Sequence, residues 1–298
     1  MTLVDRVFAL ISILVLSACS PDDYSESTDS NGLYLIMESQ SHVISDIFKN
    51  NINEYSGYIY GTSYTILTTG FPSKEIEKKI NDELNRIDYV FSTYKEDSLI
   101  SKYNRKDEVE TTEEFDYVHD LAISISNWTD GAFDPYGKRG LDFSGIAKGY
   151  AVDQIGELLE KNSIYNYFIE IGGEIKAVGS KYGSNWVFAI ETPVNGKKIP
   201  YGKKIPYVAF EVPQSGISIA TSGEYRVPDH IWGSGPRDII SISVISRDVA
   251  SADAWATAMY VMGKDKALAI AEEYEIPIFL IDDNGASIQS TSWGMIPL

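Results

Sequence analysis

From Tyr55 to Thr68, YSGYIYGTSYTILT, apolar and polar side chains alternate with period two, which predicts a β-strand. The period then changes. Ile76, Ile80, Leu84, Ile87 and Val90 recur every three or four residues behind Ser73, a plausible N-cap, and predict a helix with one core-facing stripe. A second helix is expected over Glu113 to Trp128, with Phe115, Val118, Leu121, Ala122 and Ile125 on one face and a stop at Thr129-Asp130-Gly131. Asp134-Pro135 signals a turn, and a further helix runs from Lys148 to Glu160. YNYFIEIGGEIKAVGS reads as two strands broken at Gly172-Gly173, followed by strands in WVFAIETP, VAFEV, ISIATSGEYRV and DIISISVISR. The last third adds helices over SADAWATAMYVMG and KALAIAEEY and a strand in IPIFLID. Helices interspersed with short alternating strands predict an α+β fold of largely antiparallel sheets with packed helices. No charge-rich or Pro-rich linker divides residues 55–298, so one domain is expected there. The duplicated GKKIPY between Val194 and Tyr207 is too short for a structural repeat and reads as a basic, exposed hairpin tip.

The first residues follow a different logic. Val7 to Leu16 form an apolar run behind Arg6, too short to span a bilayer and of the length of a signal-peptide core. The run ends in Leu16-Ser17-Ala18-Cys19, which resembles the lipobox of bacterial lipoproteins. Cys19 is the only cysteine, which excludes an internal disulfide and suits it to lipid attachment. The expected organisation is a lipoprotein signal peptide over 1–18, a polar flexible tether over 19–54 and a folded domain over 55–298. The protein would then be lipid-anchored to a bacterial membrane, facing the periplasm or the cell surface.

Charge narrows the chemistry. A formal net charge of −18 over 298 residues argues against general nucleic-acid binding, and a phosphorylated ligand would need a metal ion and local cations. One stretch offers a cation. LDFSGIAKGYAVD, Leu141 to Asp153, is a small-residue loop opening a helix, with Asp142 at its entry, Gly145 and Gly149 keeping the backbone bare for an approaching anion and Lys148 in the first turn. Such a junction suits a phosphate, although the spacing is neither the Walker nor the dinucleotide pattern. Far downstream, SADAWAT places Asp253 and Thr257 at i and i+4, one helical turn apart, where both oxygens can reach one hard cation. Of three histidines, His42 falls in the expected tether and His119 on a helix face, which leaves His230 as the candidate base near neutral pH.

Four stretches in order, DFSGIAKGYAVD, FIEIGGEIKAVG, IATSGEYR and SADAWATAMYVMG, resemble the signature set of the ApbE-type FAD:protein FMN transferases. YGTSYTI, FSTYKEDSLISKYN and GAFDP add to the likeness, which spans about Tyr55 to the C-terminus. The resemblance implies Mg²⁺-dependent transfer of the FMN half of FAD to a threonine hydroxyl of an acceptor protein, forming a phosphoester and releasing AMP. The acceptor would belong to a redox system. Mn²⁺ is the alternative ion, since both prefer oxygen ligands. By motif match, Asp253, Thr257 and the Gly145 carbonyl would hold the metal, and Lys148 would meet the phosphate. Tyr60, Tyr94, Ala132, Phe133, Asp134, Asp142, Thr221, Ser222 and Gly223 would contact FAD.

The chain departs from the family pattern at three places. Tyr60 stands where the family usually has Met, only YGKRG links Pro135 to Leu141, and the loop after His230 lacks the usual Asp-Pro step. These shortenings leave two alternatives to transfer: an Mg²⁺-dependent FAD pyrophosphatase and a non-catalytic FAD-binding lipoprotein.

Overall fold

The computed structural model describes residues 52–137, 140–193 and 206–298. The expected signal peptide, Cys19 and all of the duplicated tip before Pro206 lie outside the described residues. Strand β1, Ile52–Ile59, pairs antiparallel with β2, Thr62–Thr69, from Ile52↔Thr69 to Ile59↔Thr62. The alternating run is therefore a hairpin and not one strand, and the domain reaches back at least to Ile52, within the expected tether. The turn is Tyr60-Gly61, both at positive φ (53° and 75°), the conformation that a two-residue hairpin needs. Asn-Gly would have announced that turn; Tyr-Gly does not.

Six further strands join them: β3, Tyr167–Ile171; β4, Glu174–Val178; β7, Ile217–Ser222; β8, Ile239–Ile245; β9, Ile278–Asp282; and β10, Ser287–Gln289. The order β1-β2-β3-β4-β7-β8-β9-β10 is antiparallel at every pairing. Between β4 and β7 the chain leaves the sheet as a separate antiparallel pair, β5 (Val187–Glu191) and β6 (Pro206–Glu211). Alternation along the strands gives the sheet two apolar faces. Ile66, Ile169, Val244 and Leu280 join the core under the helices. Ile175, Ile219, Phe279 and Ile281 pack with Trp186, Phe188 and Trp293 in a second core on the β5–β6 side. The architecture is the expected α+β, in three layers.

The helices are α1, Lys74–Phe91; α2, Leu99–Arg105; α3, Glu113–Trp128; α4, Ala147–Lys161; α5, Val249–Met262; α6, Lys264–Glu273; and a final turn, α7, Thr291–Gly294. Ser73 Oγ caps α1 by accepting from Ile76 N–H at 3.3 Å, and all five expected stripe residues are buried. α2 was not expected, because seven residues are too few for a period to show. Among the described residues no helix is long and apolar enough to cross a membrane.

α5 organises the molecule. Every residue of it except Thr257 is buried, so it is a core helix packed between α4 and strands β7 and β8. At its start, Asp153 of α4 accepts from Val249 N–H (2.9 Å) and Ala250 N–H (3.0 Å) while pairing with Lys176 at 2.8 Å. Two orphan donors of the α5 N-terminus are thereby satisfied from the neighbouring helix. The two helices approach so closely at Gly149 that a Cβ there would lie 2.3 Å from the Val249 carbonyl oxygen. This contact fixes the register that sets Lys148 against Asp253.

Candidate active site

Where α4 and α5 meet the end of the sheet, a cleft of about 920 Å³ opens. Its base is a charge cluster drawn from three elements. Lys148 Nζ lies 3.1 Å from Glu174 Oε1 and 3.5 Å from Asp253 Oδ2. Asp253 Oδ2 also accepts the Gly149 backbone N–H at 3.0 Å. Both carboxylates are nearly inaccessible, at 3% and 2% side-chain exposure, against 27% for Lys148. Burial pushes the Glu174 carboxyl up to about 8; Lys148 draws it back and Asp253 adds to the rise. Asp253 is raised in the same sense by burial, opposed by Lys148 and the Gly149 N–H. Burial works against the Lys148 ammonium, but Asp253 and Glu174 outweigh it and its pKa is raised. Two buried acids thus share one ammonium.

Thr257 is one turn along α5 from Asp253, and its hydroxyl lies 3.3 Å from Ser222 Oγ. A Cβ on Gly145 would come within 3.1 Å of Thr257 Oγ1 and 3.1 Å of Phe133 Cε2, so a side chain there would have to press Thr257 or Phe133 aside. Asp142 Oδ1 accepts from Ser144 N–H at 2.9 Å and shapes the same loop. Thr221 at the end of β7 bonds to Ser243 Oγ at 2.8 Å, and Gly223 follows with its Cα against the Ile240 carbonyl.

All of the site residues expected from the sequence, apart from Cys19, which lies outside the described residues, line this one cleft. Their placement nevertheless changes several readings. Phe133 is 2% exposed and lies against the Gly145 loop. Tyr60 is half-buried with its hydroxyl donated to the Leu84 carbonyl at 2.8 Å, whereas Tyr94 stands 94% exposed at the mouth. Ala132 is half-buried and Asp134 is exposed beside it. Gly149 does not bare its backbone for an anion: its N–H serves Asp253, and its missing side chain serves the α4–α5 contact.

His230 is on the exposed loop after β7. Its Nδ1 lies 2.6 Å from the Val227 carbonyl oxygen, which can only accept, so in the neutral ring Nδ1 carries the proton and Nε2 has a free lone pair. Within the loop Glu224 Oε1 accepts Ile231 N–H at 2.9 Å, and Trp232 Nε1–H ties the loop to the Asp134 carbonyl at 3.0 Å. Sequence reasoning missed Glu174. A lone acid after Gly-Gly looks like part of a turn, and only its register beside β7 carries it into the cleft.

Among the described residues no group of three or more His, Cys, Asp or Glu could hold a metal by itself. The oxygens at this point are the Asp253 carboxylate and the Thr257 hydroxyl, both hard donors, with the Gly145 loop packed against Thr257. Such a sparse set fits Mg²⁺, which takes one or two carboxylates and fills its remaining positions with water and substrate phosphates. The Glu174 Oε2, buried with no hydrogen-bond partner, agrees with a cluster short of positive charge.

A helix-and-sheet domain that gathers a lysine, two buried acids and a hydroxyl in one cleft has the layout of a phosphate-handling enzyme. The sequence model of the ApbE family matches residues 60–139 and 135–280, and the chain belongs to that family. It is 28% identical to the FAD:protein FMN transferase of Haemophilus influenzae, over 80% of this chain and 89% of that protein. The corresponding protein of Vibrio cholerae is 27% identical, over 80% and 90%. A solved structure, the flavin transferase ApbE from Vibrio cholerae, superposes with a TM-score of 0.70 at 26% identity, covering 82% of this chain and 98% of that one.

Proposed function

We propose that the protein is an FAD:protein FMN transferase that moves the FMN half of FAD onto a threonine hydroxyl of an acceptor protein, with Mg²⁺ bound and AMP released. The observation that carries the reading is the Lys148–Glu174–Asp253 cluster beside Thr257 and Gly145, at the base of a cleft that also collects every expected flavin-contacting position. In this reaction a new bond joins threonine Oγ to the phosphorus of FMN, and the bond from that phosphorus to the bridging oxygen breaks. AMP leaves with the bridging oxygen and its electron pair. Asp253, Thr257 and the Gly145 carbonyl would hold the divalent cation, Mg²⁺ or Mn²⁺, which when bound neutralises charge on the diphosphate.

The chain's own groups do the rest. Lys148 offers its ammonium to the diphosphate, where it offsets the negative charge that develops on the bridging oxygen as that oxygen leaves with AMP. His230 accepts the threonine proton at Nε2, with Nδ1 fixed by Val227. Tyr94 at the mouth and the Asp134–Trp232 contact frame the entry to the cleft. The reading extends to the N-terminus: residues 1–18 as a signal peptide, Cys19 as the lipid attachment point, and a tether that lets the domain meet a membrane-bound redox partner.

The test is incubation with FAD and an acceptor peptide carrying threonine in an acidic context, with Mg²⁺ or with EDTA. Peptide-bound flavin that depends on Mg²⁺ is the expected result. FMN and AMP without labelled peptide would instead make the protein an FAD pyrophosphatase, and unchanged FAD would make it a binder.

A further inference from the structure

Lys148 has two acidic partners, yet only one of them, Asp253, belongs to the expected cation site. The other is the nearer. Glu174 Oε1 is 3.1 Å from Nζ, against 3.5 Å for Asp253 Oδ2. Glu174 opens strand β4 immediately after the Gly172-Gly173 turn, and its other carboxylate oxygen is buried without a partner. Burying a carboxylate oxygen without a protein partner is unfavourable, which packing alone does not explain. No carboxylate other than Asp253 and Glu174 contacts Lys148 among the described residues, so a cation that takes Asp253 leaves Glu174 as the only acid still holding the ammonium.

We propose that Glu174 is a positioning residue that keeps Lys148 off Asp253: by holding the ammonium at 3.1 Å from the β4 side, it frees Asp253 for the divalent cation and holds Lys148 beside the diphosphate. The inference rests on the functional reading above. Without Glu174, Lys148 has Asp253 as its sole counter-ion and competes with the cation for it. With both Glu174 and Lys148 gone, that competition is absent. Cation affinity therefore depends on Glu174 chiefly when Lys148 is present, a coupling that a double-mutant cycle isolates.

The experiment measures Mn²⁺ binding by electron paramagnetic resonance at pH 8.5 on the whole domain, in wild type, Glu174→Gln, Lys148→Met and the double variant, with thermal melts alongside. Glu174→Gln is expected to weaken Mn²⁺ binding by about tenfold or more in the wild-type background, and by less than about threefold in the Lys148→Met background. Glu174→Asp, which keeps the charge but withdraws it by one methylene, is expected to fall between wild type and Glu174→Gln; it stands in if the glutamine variant melts early. Equal losses with and without Lys148 would mean that Glu174 touches the cation directly, and no loss in either would mean packing; each overturns the inference. If wild type binds Mn²⁺ and labels the acceptor while either of those patterns is found, the inference alone fails. If wild type binds no Mn²⁺, the functional reading fails and takes the inference with it.

Discussion

Asp253 carries three relations at once: it accepts the Gly149 N–H, it faces Lys148, and it lies one turn from Thr257. Replacing it with asparagine keeps the shape but removes the charge that a hard cation needs. Asp253→Asn is expected to lower the transfer rate on the order of 10²–10³-fold while leaving the fold intact by circular dichroism. His230 is different, since it is exposed and bonded only within its own loop. His230→Ala is expected to lower kcat on the order of 10²–10⁴-fold with little change in FAD affinity, read by single-turnover kinetics beside flavin-fluorescence titration. A matching loss of FAD affinity would assign His230 to binding instead of proton transfer. At this scale much was legible: the DFSGIAKG and SADAWAT stretches bring the lysine, the acid and the hydroxyl to one place. Glu174 was not, because its meaning depends on a strand neighbour more than 40 residues away in sequence, the β4–β7 pairing Ile175↔Ile219.

Among the elements, the amphipathic helices α1 and α3 were readable from their stripes and caps, and α5 from its continuous apolar composition. The β1–β2 hairpin was not, since alternation runs on through a turn with no asparagine or aspartate in it. Gly149 shows how a correct residue can carry the wrong reason. Its sequence context suggested bare backbone for a phosphate, whereas the structure uses it to seat α4 against α5. Gly149→Ala is accordingly expected to destabilise the domain by about 1–3 kcal/mol in chemical denaturation, through overpacking against the Val249 carbonyl. A helix interior with open space would instead gain slightly from alanine.

For the whole molecule, the shifted groups set a pH dependence. Glu174 titrates near 8 in the folded state against 4.5 when unperturbed, and Asp253 and Asp153 are shifted in the same direction, burial being the largest cause for each. A raised acid means that the folded state binds the proton more tightly, so the associated stability is full below about pH 4.5 and is lost as pH rises through about 8. Glu75 and Asp282 are shifted the other way, and above about pH 6 both are ionised in either state, so they do not contribute there. In EDTA the melting temperature is therefore expected to fall between pH 6 and 9, and Glu174→Gln to flatten the fall; an equally steep fall in the variant would contradict the assignment.

The formal charge of −18 leaves little place for a polyanion except at a site that supplies its own cations, and the cleft does so with Lys148 and room for a divalent ion. In the proposed reaction this cleft splits FAD and hands the flavin half to a protein hydroxyl. The most direct test is the ratio of AMP released to flavin bound covalently to the acceptor, measured together by chromatography and mass spectrometry in wild type and Asp253→Asn. The expected result is one AMP per flavin attached, with both lost in the variant; AMP formed without attached flavin, or equal turnover in the two proteins, would contradict the account.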